Sequence, residues 1–234
     1  MAKLIITQEF WDVFPKAEIA IIVANNIANN QKNEKISTNL QKANEDSKKF
    51  FTANVFSENK VISVWRDAYK KFKTKKGVRS SIENLLKRIE KGNPVGEINP
   101  LVDIYNTISL THGIPCGGED IDMIKGDMLL TKAAGDEPFL ALGDESESCA
   151  LPGEIVYKDD LGIVCRCWNW RDGVRTMLTE NTKNAVLVIE SVDVSKHDDL
   201  IEAANNLASL VKNYLDGSVS ITFLDIYNKE ALLQ

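Results

Sequence analysis

The 234-residue chain has a formal net charge of −6, with 44% hydrophobic and 26% charged residues, a composition typical of globular proteins. No apolar run approaches the roughly 20 residues that span a bilayer, and the opening stretch MAKLIITQEF lacks the layout of a signal peptide. We therefore expect a globular protein with no membrane span.

The cysteines and histidines argue against a metal centre. The four cysteines form no C-x-x-C pair, and the chain has only two histidines. A zinc site built from thiolates and imidazoles is not expected from this spacing. We expect free thiols, a reduced cytoplasmic protein, no metal and no cofactor.

Charge is distributed unevenly along the chain. Residues 60–91 contain eleven Lys and Arg against three Asp and Glu, a net charge of +8, so the rest of the chain carries −14. A basic segment on an acidic body often marks a surface that faces a polyanion.

The first half of the chain, about residues 1–112, is predicted to be rich in helices. Residues 17–25, AEIAIIVAN, form a short apolar run that predicts a buried strand. A polar loop follows, and helices are expected over about 38–51 and over 61–72, where apolar residues recur at helical spacing in the second segment.

Two further helices carry clear end signals. Ser80 and Glu83 form an S-x-x-E capping box ahead of apolar residues at helical spacing. Asn99 is the predicted cap of the next helix, Pro100 lies in its first turn, and Gly113 follows its end.

The second half, about residues 113–234, is predicted to be rich in strands. A glycine turn precedes them, 157–163 reads as a hairpin turn, and a last helix over about 198–215 leads into a final strand. The predicted short strands are 127–133, 138–143, 154–159, 161–170 and 185–192. We expect an α+β or mixed α/β fold in one domain over 1–234, with a central, largely antiparallel sheet flanked by helices.

Three blocks of sequence resemble the B3/B4 domain of the phenylalanyl-tRNA synthetase β subunit. They are WRDAYKKFKTKKGVRSSIENLLKRI, INPLVDIYNTISLTHGIPCGGEDID and GEIVYKDDLGIVCRCWNWRDGVRTMLTENTKNAVLVIES. The V-D-x-x-N and T-x-x-T-x-N elements of the family recur, and the resemblance covers about residues 14–191.

The resemblance implies both a fold and a function. In the synthetase this mixed α/β domain is the editing module, which hydrolyses the ester of tyrosine wrongly attached to phenylalanine tRNA. It implies here a free-standing domain that hydrolyses mis-aminoacylated tRNA in trans, with tRNA as its partner. The chain is too short for an aminoacylation core and has no suggestion of an ATP-binding element, so we expect no ligase activity.

Two departures from the family pattern concern the substrate. The family motif P-L-H-A-F-D corresponds to residues 115–120, so the family histidine falls on Gly117. The family also has a glutamate in a Gly-Gly-Glu turn, which has no counterpart in residues 172–175. Tyrosine specificity is therefore not carried over to this chain.

The catalytic candidates are Asn106, Gly117, Gly118, Glu119 and Asp120. Ester hydrolysis needs a positioned water, donors for the oxyanion and a pocket for the side chain. The glycine amides and Asn106 are candidate donors, and either acidic residue could hold the α-ammonium or the water. The alternatives are a plain turn, solvated loop carboxylates, and capping of the next element by Asp120.

The tryptophan-rich stretch 165–176 is predicted to contribute to substrate binding. On a strand, alternation places Arg166, Trp168 and Trp170 on one face, where indole could stack on a terminal adenine and arginine could meet a phosphate. The alternative is a packed face in which Trp168 lies under a helix and Arg166 pairs with an acidic residue such as Glu154.

Other substrate-binding candidates flank this stretch. Asp103 lies three residues before Asn106 on one helix, so both could reach a single ligand, although backbone hydrogen bonding is the commoner outcome. The full candidate set is Asp103, Glu154, Arg166, Trp168, Trp170, Arg171, Arg175, Thr176 and Thr179. Arg171 and Arg175 are expected to contact an anion, and the threonines to cap a turn or line the same cleft.

The run KKFKTKKGVR is the predicted RNA-binding segment. Its cations are Lys70, Lys71, Lys73, Lys75, Lys76 and Arg79. Contacts from such a run to a tRNA backbone are independent of sequence and sensitive to salt. A solvated charged face is the alternative.

Two other functions remain open from sequence. One is a non-catalytic tRNA-binding module that has kept the fold and lost the chemistry, and the other is hydrolysis of a small amino-acid ester or amide. The oligomeric state is unknown. The hydrolase interpretation requires the glycine corner, the helix with Asn106 and the Trp/Arg stretch to border one open cavity.

Overall fold

The structure is a computed structural model that describes residues 2–233, so the two terminal residues of the predicted domain lie outside it. Its helices are α1 Gln8–Trp11, α2 Glu34–Asp46, α3 Lys60–Tyr69, α4 Ser81–Glu90, α5 Pro100–His112 and α6 His197–Tyr214. Its strands are β1 Lys3–Ile6, β2 Glu18–Asn25, β3 Cys116–Asp120, β4 Met128–Lys132, β5 Pro138–Phe139, β6 Ser148–Cys149, β7 Ile155–Asp159, β8 Gly162–Arg166, β9 Arg171–Asp172, β10 Ala185–Ser191, β11 Ser218–Leu224 and β12 Glu230–Leu232. The predicted mixed α and β fold is confirmed.

The strands form two main sheets rather than one central sheet. The larger has the order β12-β1-β4-β7-β8-β9, and its neighbours are antiparallel except for the parallel pair β1 and β4. The smaller is fully antiparallel with the order β11-β2-β10-β3. Strands β9 and β3 are therefore edges of different sheets.

Alternation along the strands divides the core into layers. In β2, Ile19, Ile21 and Val23 belong to the same buried cluster as residues of the larger sheet. Their neighbours Ala20 and Ile22 belong to a second cluster, shared with α5 and α6. The two sheets thus pack face to face, and α5 and α6 cover the outer face of the smaller sheet.

The helices that flank the site begin where their caps predict. Ser80 accepts a hydrogen bond from the Glu83 amide at the start of α4, at 3.4 Å. Asn99 Oδ1 accepts from the Val102 amide at 3.1 Å at the start of α5, which ends at Gly113 in the left-handed conformation. These caps satisfy amides that the helix itself leaves unpaired.

The predicted strand 161–170 is wrong beyond Arg166. Cys167 and Trp168 have φ of 47° and 65°, which is left-handed backbone that a strand cannot contain. The chain turns there and returns as β9, pairing Cys165 with Asp172. Trp168 and Trp170 are therefore not placed by strand alternation.

The predicted glycine turn at 115–120 is also wrong. Residues Cys116–Asp120 form strand β3, which pairs with the apolar strand β10 over its whole length. Local composition suggested a turn, but a neighbouring strand supplies the backbone partners that make an extended conformation favourable even for glycine.

Candidate active site

A cavity of about 190 Å³ opens between the edge strands of the two sheets. Its walls come from strands β3, β4, β7, β8, β9 and β10, together with α4, α5 and the turn after β8. Of the predicted residues, those that line it are Asn106, Gly117, Gly118, Glu119, Trp168 and Trp170. The glycine segment, the helix with Asn106 and the Trp/Arg stretch therefore border one cavity, as the hydrolase interpretation requires.

Gly117 keeps part of this hollow open. It pairs with Val188, whose side chain faces the interior between the sheets, so a side chain on Gly117 would point the same way. A Cβ built on Gly117 meets no atom within 4 Å. The absence of a side chain at this position contributes directly to the free volume.

Gly118 faces the opposite side of the strand. A Cβ there would collide with the Leu187 side chain and lie 3.1 Å from the Val186 carbonyl oxygen. The Asp120 amide points away from β10 and donates to the Thr176 carbonyl at 2.8 Å. Because amides two residues apart on a strand point to the same side, the Gly118 amide also points outward, away from β10. The Gly117 amide points toward β10, so the two glycine amides cannot both donate to one oxyanion.

Glu119 is the predicted carboxylate that reaches the cavity. Its side chain is 4% exposed, and its Oε2 atom has no hydrogen-bond partner within residues 2–233. Burial, and then the charge of Asp172, raises the pKa of Glu119 well above its ordinary value. The cavity therefore holds a buried carboxyl group that lacks a partner for one oxygen.

Asp120 does not line the cavity. Its Oδ1 accepts from the Asp122 amide at 3.0 Å and its Oδ2 from the Thr182 hydroxyl at 2.7 Å. It caps the short turn that follows β3, which is the alternative that the sequence left open.

Asp172 is a cavity residue that the sequence did not point to. It is half-buried on β9, beside Cys165, and burial raises its pKa. Tyr105, Tyr157, Asn169 and Glu190 also line the cavity without having been predicted. One signal was present for Glu190, because a single carboxylate inside the apolar run AVLVIES is unusual for a buried strand.

Glu190 lies deep in the cavity and has several hydrogen-bond partners. Tyr157 donates its hydroxyl to Oε1 at 2.6 Å, and the Asn169 amide donates to Oε2 at 2.5 Å. Burial raises the pKa of Glu190 to about 7. Both of its oxygens are engaged within the protein, which distinguishes it from Glu119.

Asn106 and Asp103 do not converge on one ligand. Asn106 is buried and lines the cavity, and its amide has no side-chain hydrogen bond within the described residues. Asp103 accepts from the Ile98 amide at 2.8 Å and lies on a different depression near the start of α5. Asp103 therefore hydrogen-bonds to the backbone, which is the alternative to ligand binding given by the sequence.

Arg166 and Glu154 form a buried ion pair away from the cavity. Their side chains are 1% and 0% exposed, and two N···O contacts of 2.8 and 2.9 Å join them. Trp168 is fully buried against Phe10, Phe14 and Trp65. Arg166 and Trp168 are therefore packed inside the protein, which is the alternative to substrate binding given above. One side of the Trp168 indole nevertheless borders the cavity.

An outer groove of about 420 Å³ adjoins the cavity. Tyr105, Gly118 and Asp172 line both, and the groove alone includes Ile98, Val102, Leu142, Arg171, Met177 and Leu178. Ile98 and Leu142 are large apolar side chains exposed by 68% and 67%. Arg171 bonds Asp144 at 3.2 Å and lies over the Trp170 ring.

The remaining predicted residues have structural partners. Arg175 forms a two-point ion pair with Asp159, at 2.7 and 2.8 Å, and lines neither cavity nor groove. Thr176 is fully buried; its carbonyl accepts from the Asp120 amide, but its hydroxyl has no hydrogen-bond partner within residues 2–233. The Thr179 amide donates to the Thr182 hydroxyl at 3.0 Å, so the threonines shape the turn rather than the cavity.

The predicted RNA-binding run at residues 70–79, called the basic segment from here on, forms the connection between α3 and α4. Lys70 and Arg79 pair with Asp67 and Glu83, whereas the other four predicted lysines have no ion pair within residues 2–233. The segment leads directly into α4, whose Ser81, Asn84 and Leu85 line the cavity. Unpaired cations therefore lie close in sequence to the cavity wall.

Comparisons with known proteins identify the family. The family model described as B3/4 domain matches residues 64–215, which is more than half of the chain. The chain belongs to the B3/4 domain family. It is 38% identical over 90 residues to the phenylalanine–tRNA ligase beta subunit of Ruegeria pomeroyi. That alignment covers 38% of this B3/4 protein and 11% of the ligase subunit, so the chain corresponds to a small part of that relative.

A solved structure supports the fold of this B3/4 protein. An N-terminal fragment of the phenylalanyl-tRNA synthetase beta subunit from Pyrococcus horikoshii superposes with a TM-score of 0.50 at 12% identity. The superposition covers 93% of this chain and 49% of the fragment. At that identity the similarity concerns the fold alone.

Residues 2–233 contain neither a candidate membrane helix nor a candidate metal cluster. None of the described helices has the length and apolar character needed to cross a membrane. Within the same residues, no three His, Cys, Asp or Glu side chains are grouped so that they could hold a metal ion.

Proposed function

We propose that this B3/4 protein hydrolyses the ester of a mis-aminoacylated tRNA in trans. The observation that supports this most strongly is a pair of adjoining hollows that share Tyr105, Gly118 and Asp172, a cavity of about 190 Å³ and a groove of about 420 Å³. The first suits an amino-acid side chain, and the second suits a terminal nucleoside. Membership of a family that includes a tRNA ligase subunit supports the same substrate class.

The groove offers chemistry that suits a nucleoside. Ile98 and Leu142 provide exposed apolar surface for a base, and exposed apolar surface that borders a groove commonly marks a binding site. The Arg171 guanidinium provides a cation for a phosphate. A tRNA end in this position would present its ester near Tyr105, Gly118 and Asp172, where the two hollows meet.

Two hydrogen-bond donors on residues that line the cavity are our candidates for binding the oxyanion. The outward amide of Gly118 and the unengaged side-chain amide of Asn106 both belong to residues that line the cavity. Donors fixed in advance by a strand and a helix stabilise a developing negative charge without reorganising. We assign the oxyanion to Gly118 and Asn106, and we assign Gly117 to the free volume of the acyl pocket.

The basic segment would hold the tRNA backbone. Lys71, Lys73, Lys75 and Lys76 precede α4, on an otherwise acidic chain. A polyanion would find its attractive surface there, and it would be held close to the mouth of the cavity.

Deacylation of a panel of charged tRNAs tests the proposal. Wild-type protein should release the amino acid from at least one mischarged tRNA faster than buffer does, and Asn106→Ala should lower that rate about 10²- to 10³-fold. Salt-dependent tRNA binding with no turnover of any ester would instead favour the non-catalytic module and overturn the hydrolase. Turnover of free amino-acid esters but of no charged tRNA would favour a small-molecule hydrolase.

A further inference from the structure

Two carboxyl groups on the edges of different sheets line the same cavity. Glu119 belongs to β3, the edge of the smaller sheet, and Asp172 belongs to β9, the edge of the larger sheet. Glu119 is buried with one oxygen lacking a partner, and Asp172 is half-buried. The packing of the two sheets does not require an unsatisfied buried carboxyl at this place, and burying one without a partner is costly.

The surroundings of the pair supply little positive charge. Tyr105 from α5, Cys165 from β8 and Glu190 from β10 face it, and none of these carries a cation. The nearby cations are already paired, Arg175 with Asp159 and Arg171, which lines the groove beside Asp172, with Asp144. Asp120, on the same strand as Glu119, adds a further negative charge. No Lys or Arg lines the cavity among the described residues.

Both carboxyl groups of the pair are disfavoured in their ionised form. Burial and the negative charge of Asp172 raise the pKa of Glu119, and burial raises that of Asp172. Burial and a neighbouring negative charge both favour the neutral form of a carboxyl group, so this cavity suits one carboxylic acid and one carboxylate.

We propose that Glu119 and Asp172 form an acid–base pair that activates the hydrolytic water. The inference rests on the proposed ester hydrolysis. The ionised member accepts a proton from water as the water oxygen bonds to the ester carbonyl carbon. The bond between that carbon and the ribose oxygen then breaks, and the protonated member gives its proton to the departing oxygen. The products are a free amino acid and a tRNA hydroxyl, and the pair again holds one proton.

The competing role for the pair is binding of the substrate's α-ammonium. A substrate pair separates the two roles, namely an aminoacyl ester and the same ester lacking only the amino group, such as phenylalanyl and 3-phenylpropionyl esters of one nucleoside. An ammonium-binding site acts on the first ester alone. An acid–base pair acts on both, because water attack is common to them.

The experiment compares wild type with Glu119→Gln and Asp172→Asn. We expect each variant to lower kcat about 10²- to 10⁴-fold on both esters, which is the usual effect of losing a general acid or base. The exposed Glu147→Gln serves as the control that keeps wild-type rates. If the loss is confined to the amino-bearing ester and lies in KM, the acid–base proposal is wrong.

Failure of the acid–base pair and failure of the proposed function give different results. Wild-type protein that hydrolyses neither ester nor any charged tRNA overturns the function itself. Active wild type with equally active Glu119→Gln and Asp172→Asn overturns only the acid–base pair. Thermal unfolding of each variant establishes that it is folded, and two independent variants keep the test valid if one of them fails to fold.

Discussion

Arg166 Nη2 lies 2.8 Å from Glu154 Oε1, and Arg166 Nε lies 2.9 Å from Glu154 Oε2, in a pair that is nearly inaccessible to solvent. The charge of this arginine is therefore neutralised inside the protein. Its guanidinium links the last residue of β8 to the residue that precedes β7, and it does not reach a phosphate in solvent.

Breaking this pair should destabilise the fold without affecting RNA binding. We expect Arg166→Met to lower the free energy of unfolding by about 3–5 kcal/mol, because it leaves Glu154 buried without a partner. The double variant Arg166→Met with Glu154→Leu should recover part of that loss. Urea unfolding measures both, and a loss below about 1 kcal/mol in the single variant would contradict the account.

The adjacent glycines form a matched pair for a test of stability. Gly118→Ala should lower the free energy of unfolding by about 1–3 kcal/mol, because its methyl group meets Leu187 in a packed strand pair. Gly117→Ala should be close to neutral, because its methyl group enters free space and its φ is not left-handed. Equal losses in urea unfolding for both variants would show that the register of β3 is wrong.

Salt dependence tests the basic segment. Replacing Lys73, Lys75 and Lys76 by Gln should weaken tRNA binding and reduce the slope of log K against log salt by somewhat under one unit for each phosphate that is no longer neutralised. Lys212→Gln, on the exposed face of α6, provides the control. Binding titrations at several salt concentrations check this, and an unchanged slope in the triple variant would place the tRNA elsewhere.

Glu190 should make stability depend on pH. Its pKa is raised from 4.5 to about 7 in the folded protein, so between these values the folded state binds more protons than the unfolded state. Stability attributable to this residue is fully present below pH 4.5 and is lost as pH rises through about 7.

Substituting this residue should remove that pH dependence. Glu190→Gln should flatten the decline of unfolding free energy between pH 4.5 and about 7, relative to wild type and to the exposed control Glu58→Gln. Urea unfolding at several pH values provides the measurement. If the decline persists unchanged in Glu190→Gln, groups other than Glu190 cause it.

Much of the fold was readable from local patterns. The capping signals of Ser80 and Asn99, and the apolar runs of β2 and β10, describe interactions within one segment or burial on both faces of a strand. Those predictions are confirmed. Strand β3 was missed because its extended conformation depends on pairing with β10, some seventy residues away in the chain.

The site was harder to predict than the fold for a related reason. Asn106, Gly117 and Trp168 were placed in one cavity by resemblance and residue chemistry, and they do line one. Asp172 was missed because it enters the cavity only through the left-handed turn at Cys167 and Trp168, which no local pattern signalled. Arg166 was ambiguous because the sequence around a guanidinium does not indicate which anion it meets in the fold.

Filling the acyl pocket at Gly117 should abolish ester hydrolysis if the cavity holds the amino-acid side chain. The measurement is single-turnover deacylation of the best mischarged tRNA by wild type, by Gly117→Phe, and by Gly96→Phe, a control position with open space around its Cβ that lines neither hollow. The account predicts that Gly117→Phe falls to the spontaneous rate while Gly96→Phe retains wild-type activity. Full activity in Gly117→Phe, with the variant folded, would contradict it.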